Sequence, residues 1–107
     1  ITSLRAFLSG FPNHRRASFA RNLIGRALLD KGEPQPAAQA LYANYDADPK
    51  GERAPDSLYY LGQSLMALKQ PEQACKAYGD LEEVYGASIR PDLKALVAEA
   101  KAEADCS

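Results

Sequence analysis

Few residues in this chain of 107 could perform covalent or acid–base chemistry. His14 is the single histidine and stands in the polar run Asn13-His14-Arg15-Arg16, where a solvated imidazole is expected and not a general base. Cys75 and Cys106 have no Cys-X-X-Cys spacing and no cluster of ligand residues beside them, which excludes a zinc or thiol-redox motif. The acid pairs Asp46/Asp48 and Glu82/Glu83 fall at helix ends without the spacing of an EF-hand, and no Gly-rich phosphate loop occurs. No catalytic residue, metal site or cofactor is expected.

The remaining reactive pattern is charge. Residues 1–29 hold Arg5, Arg15, Arg16, Arg21 and Arg26 with no acid before Asp30, whereas residues 55–107 hold nine acids against five bases. An arginine-rich end can bind nucleic acid or anionic lipid. Here no Lys/Arg run and no interleaved aromatic platform accompanies the arginines, so a solvated helix face is expected and nucleic acid is not an expected partner.

The elements that carry these side chains are helices. Alanine occurs 19 times while Val, Ile and Thr together occur six times, the reverse of what a pleated surface favours. The fold class is all-α. With 46% hydrophobic and 25% charged residues the chain suits one packed globular domain, and no apolar run approaches the ~18–20 residues of a membrane span, so no direct membrane insertion is expected. The chain opens at Ile1 with neither an initiator Met nor a signal sequence, which reads as a piece of a longer protein.

Sliding the chain against itself by 37 residues gives twelve identities in seventy pairs. They include Leu4/Leu41, Pro12/Pro49, Arg16/Arg53, Gly25/Gly62, Leu28/Leu65, Pro34/Pro71 and Ala37/Ala74 in one frame. Each unit reads as two helices. The first runs over about 17–31 and again 55–69, with Leu23, Ile24, Leu28 and Tyr60, Leu61, Leu65 at helical spacing. The second runs over about 35–47 and 71–85, opened by Pro34 and Pro71, whose missing N–H costs nothing in a first turn.

Ile24-Gly25 with Ala37, and Leu61-Gly62 with Ala74, resemble the signature of the tetratricopeptide (TPR) repeat. The resemblance implies a right-handed superhelix of antiparallel helix pairs, in which each glycine is expected to face the alanine of its own hairpin. Residues 1–12, with Ile1, Leu4, Leu8 and Phe11 on one stripe, then form the second helix of a truncated repeat. Repeats follow over 17–49 and 54–86, and 91–105 is a capping helix. Glu99 is expected where Gly25 and Gly62 stand, a charge tolerated because no further helix packs there. In that frame Cys75 and Cys106 become neighbours across the turn at residues 86–90. They form either a disulfide, implying an oxidising compartment, or a buried Cys75 and a free Cys106.

Solenoids of this kind bind ligands along a wall made by their first helices. In repeat register the wall carries Phe19, Asn22, Arg26 and Leu29 from one unit and Tyr59, Gln63 and Met66 from the next. Leu29 and Met66 serve equally well as packing residues. Such mixed side chains suit an extended peptide or a partner helix.

Residues 7–41, 47–78 and 81–106 together resemble the C-terminal TPR domain of the Tol-Pal-associated periplasmic cell division coordinator (CpoB/YbgF) family. The resemblance rests on the spacing from Pro12 to Gly25 and from Pro49 to Gly62, and on the run from Ala54 to Gly62. It implies a periplasmic, non-enzymatic adaptor whose partners are TolA and a penicillin-binding protein complex. The domain itself would be monomeric, within a full-length protein made trimeric by a coiled coil outside this sequence. Two alternatives stand beside it, a BamD-like TPR scaffold for outer-membrane protein assembly and an anion-binding module using the five arginines.

Overall fold

The computed structural model describes residues 4–6, 10, 17–51 and 53–106. Over residues 17–106 the described residues form α1 (Ala17–Asp30), α2 (Pro34–Ala47), α3 (Ala54–Ala67), α4 (Pro71–Tyr85) and α5 (Pro91–Glu103), with a 3₁₀ turn over Gly86–Ser88 before α5. Among the described residues there is no strand. Residues 4–6 and 10 are helical, and Leu4 packs against the core. His14, Arg15 and Arg16, and most of the helix expected over 1–12, lie outside the described residues.

Proline opens α2 to α5, and left-handed residues close α1, α3 and α5. Pro34, Pro55, Pro71 and Pro91 all sit in first turns, where the fixed φ suits the helix. At the far ends, the amides of Glu33, Gln70 and Cys106 donate to the carbonyls of Leu28, Leu65 and Lys101, each closing a Schellman motif. The left-handed residue in the three motifs is Gly32, Lys69 and Asp105 in turn. Only the first is a glycine, so the later two ends carry a small backbone strain that the first avoids.

Helices α1, α3 and α5 pack side by side as one layer, while α2 and α4 fill the second layer and pack against their neighbours on either side in the chain. The core between the layers holds Leu28, Ala37, Leu41, Leu58, Ala74, Tyr78, Leu81, Leu93 and Val97. Ala37 and Ala74 are fully buried, but the side chains nearest the glycines are larger ones. A Cβ built on Gly25 would run into the side chain of Leu41, and one on Gly62 into the ring of Tyr78. Each glycine therefore makes a socket for a large side chain one turn beyond the alanine. The expected close approach at the glycines is present, and the side chains nearest them are Leu41 and Tyr78.

A polar seam joins α1, α2 and α3. Asn44 donates from Nδ2 to the Ser18 carbonyl at 3.1 Å and to Ser57 Oγ at 2.8 Å, and Ser57 Oγ donates to Asn22 Oδ1 at 3.0 Å. All four residues are buried. Such a seam fixes the register of three helices, because a one-residue slip would strand several buried polar groups at once.

Helix α5 follows a shorter period than the first two. Arg53 and Arg90 keep the 37-residue spacing, but the buried residues below them, Ser57 and Leu93, Leu61 and Val97, Ser64 and Ala100, are 36 apart. The position equivalent to Gly25 and Gly62 is thus the exposed Ala98, and Glu99 stands one place further on, equivalent to Gln63. This corrects the expectation for Glu99 and matters for the site. Arg90 anchors the start of α5 by a bidentate pair to Asp56, at 2.8 and 2.9 Å, and this pairing holds the guanidinium pKa above its ordinary value. Cys75 and Cys106 are joined, their Cα atoms 5.6 Å apart, so the disulfide alternative of the sequence reading is the one present.

Buried phenols give the fold an alkaline limit. Burial, then the neighbouring Tyr59 phenol, pushes Tyr78 up to about 12; burial, then Tyr45 and Asp48, pushes Tyr85 up to about 12. In the unfolded chain these groups ionise near pH 10. Their neutral forms therefore add stability that is whole below about pH 10 and lost as pH rises toward about 12. Denaturant midpoints are expected to hold steady up to about pH 9.5 and fall above it, and phenolate absorbance should show a component that appears only as the helical signal is lost.

Candidate functional site

The first-helix layer presents a continuous row of aromatic and charged side chains. Arg26 on α1 is exposed, and its guanidinium carbon lies 4.7 Å from the centre of the Tyr60 ring, a cation–π contact reaching across to α3. Tyr60 meets Tyr59 edge-on, centroids 5.0 Å apart. Tyr59 in turn leans on Tyr78 at 6.3 Å and, with Gln63, forms one wall of a cleft of about 200 Å³ whose other wall is Leu96, Glu99, Ala100 and Glu103 of α5. Burial raises the Tyr59 pKa, with smaller contributions from Tyr60, Glu103 and Glu99, so this phenol stays protonated and neutral. Gln63 Nε2 lies 2.8 Å from Tyr78 Oη and donates to it, fixing the amide in the cleft wall.

Of the residues expected on this wall, Arg26, Tyr59 and Gln63 do come together in one row. Asn22 does not belong to it: at 1% exposure, and accepting from Ser57, it is part of the seam between helices. Its polarity suggested a ligand contact, and no feature of the sequence shows that Ser18, Ser57 and Asn44 would converge on it. Phe19 is half-buried beneath the Arg53 guanidinium, 5.2 Å from its ring centre. Leu29 and Met66 are partly buried against the core, the packing alternative. Tyr60, Leu96, Glu99 and Glu103 were missed. Glu99 and Glu103 were hidden by the one-residue error of register in α5, and Tyr60 was assigned to the core stripe.

A second concavity lies in the other layer. Helices α2 and α4 stand apart over α3, leaving a groove of about 650 Å³ with Leu58, Leu61 and Leu65 on its floor and Ala38, Tyr42, Tyr45 and Ala77 on its sides. Tyr42 is 54% exposed there. The groove has no matched set of charged groups, only Lys76 and Asp80 at one edge with Gln39 and Gln73.

Among the described residues no three potential ligands gather into a metal cluster, and no helix is long and apolar enough to cross a membrane. What the chain offers is surface held on rigid helices. Residues 56–88, spanning α3, α4 and the 3₁₀ turn, match the family model of the tetratricopeptide repeat. No curated protein and no solved structure matches the chain. TPR repeats mediate the binding of protein partners and are generally non-catalytic.

Proposed function

We propose that this chain is a non-enzymatic adaptor of the bacterial cell envelope. It would work in the periplasm with the Tol-Pal system, coupling outer-membrane constriction to septal peptidoglycan synthesis through a TolA-like partner and a penicillin-binding protein complex. The observation that carries the adaptor reading is the open row from Arg26 through Tyr60 and Tyr59 to α5, whose middle helix α3 lies almost wholly within the residues that match a TPR repeat. The disulfide supports an oxidising compartment. The envelope assignment rests on the resemblance of the Pro12-to-Gly25 and Pro49-to-Gly62 spacing and of the Ala54–Gly62 run. A BamD-like scaffold would share the compartment and the fold, and differs in partner. For the anion-binding alternative, Arg26 is already engaged by the Tyr60 ring, which leaves it the weaker reading.

The test is binding of purified TolA to the wild-type domain, to an Arg26→Ala/Tyr59→Ala double variant and to Tyr42→Ala. Loss of a guanidinium and an aromatic from one interface should weaken binding roughly tenfold to a hundredfold. Unchanged affinity in the double variant, with loss in Tyr42→Ala, would move the site to the groove between α2 and α4. Affinity that collapses with salt irrespective of Tyr59 would favour anion binding.

A further inference from the structure

The adaptor reading leaves the chemistry of its ligand open, and the corrected register of α5 narrows it. The equivalent positions on successive first helices are Arg26, Gln63 and Glu99, so the wall passes from cationic through neutral to anionic. At the anionic end Glu99 and Glu103 lie four residues apart on one face of α5 and both line the cleft with Tyr59. Like charges at that spacing disfavour a helix. Neither carboxylate has an ion-pair partner among the described residues, and Lys101, on the same helix, is committed to Glu82 of α4 at 2.6 Å. Beside them Leu96 is 41% exposed.

We propose that this cleft receives the lysine or arginine side chain of an extended peptide segment in the partner. The alkyl stem lies along Tyr59 and Leu96, and the charge sits between Glu99 and Glu103. The inference rests on the adaptor reading and adds the class of side chain recognised. A phenol face next to two carboxylates attracts a cation by ring quadrupole and by charge, and the apolar stem of Lys or Arg covers the exposed leucine. Size agrees. About 200 Å³ accommodates one long side chain, whereas pockets for whole small molecules begin near about 300 Å³. Polarity agrees as well, because Arg26 at the other end of the row repels a cation and so sets which way the segment lies.

The experiment is an amide chemical-shift titration of the folded domain with the tripeptide acetyl-Leu-Lys-Leu-amide, and with counterparts carrying norleucine or Glu in place of Lys. Millimolar binding by the Lys peptide is expected, with the largest shifts at Tyr59, Gln63, Leu96, Glu99 and Glu103. The norleucine and Glu peptides should bind at least about fivefold more weakly, and Glu99→Gln/Glu103→Gln should weaken the Lys peptide about three- to tenfold. Both glutamates are exposed, so the variant keeps the fold. Equal binding of the norleucine peptide, or shifts centred on Tyr42 and Leu65, overturns the proposal. If that happens while Arg26→Ala/Tyr59→Ala still loses TolA, the adaptor reading stands and only the cation is wrong. Should the wild-type domain instead fail to bind TolA while the Lys peptide maps to the cleft, the cleft stands and the adaptor reading falls.

Discussion

Breaking the Cys75–Cys106 disulfide is expected to lower the thermal midpoint of this domain by roughly 15 °C. The bond closes a loop with a sequence separation of 31, for which the chain-entropy model gives about 3.5 kcal/mol. Helix α5 needs that contribution more than any other element. Among the described residues it packs against α3 and α4 alone, and it buries one narrow stripe, Leu93, Val97 and Ala100, followed by Ala104. Of its polar anchors, Arg90 to the buried Asp56 holds only the start of the helix, and Lys101 to Glu82 lies at the surface, where ion pairs are worth about 0.2–1 kcal/mol. Circular dichroism melts with and without a thiol reductant give the measurement, with Cys75→Ser as the control that reductant should not affect. Hydrogen exchange should show α5 amides losing protection well before those of α1–α4. A midpoint that moves by less than about 3 °C would mean that packing alone holds the cap. Since Glu99 and Glu103 sit on α5, reduction should also weaken capture of a cationic segment without touching Arg26 or Tyr60.

The helices themselves were legible because their signals are local. Proline at the entrances of α2 and α4, a 37-residue recurrence and apolar spacing place α1 to α4 within a residue or two of where they stand. The disulfide was legible for a related reason: hairpin geometry alone brings the start of α4 beside the residues after α5. What escaped was set by which side chain meets which across a hairpin. Asn22 carries the same polar label whether it faces solvent or Ser57, and only the assembled seam decides. The register of α5 escaped because its start keeps the repeat period through Arg90 while its buried stripe is one residue short, so a match at Arg53/Arg90 concealed the slip at Leu61/Val97. That slip moved Glu99 from an inert cap position into register with Arg26 and Gln63 and into the cleft beside Tyr59.

The glycine sockets can be tested directly, and Gly62→Ala is expected to destabilise the domain by about 2 kcal/mol even though alanine is the better helix former. Replacing Gly inside an exposed helix should gain about 1 kcal/mol. At Gly62 the new methyl would overlap the Tyr78 ring, whose nearest atoms are ring carbons and not the end of a flexible chain. Tyr78 cannot swing away. It is fully buried, accepts from Gln63 at its hydroxyl and touches Tyr59, so relief requires α3 and α4 to move apart. Overpacking of this kind costs about 1–3 kcal/mol or more, enough to reverse the propensity gain. Gly25→Ala meets Leu41 instead, a side chain with other rotamers available, and should cost less. The decisive measurement is a pair of urea denaturation curves for Gly62→Ala and for Gly62→Ala combined with Tyr78→Leu. The smaller side chain should recover much of the loss, giving a coupling energy of about 1 kcal/mol or more. Additive effects would show that glycine at this position serves the backbone and not the ring it faces.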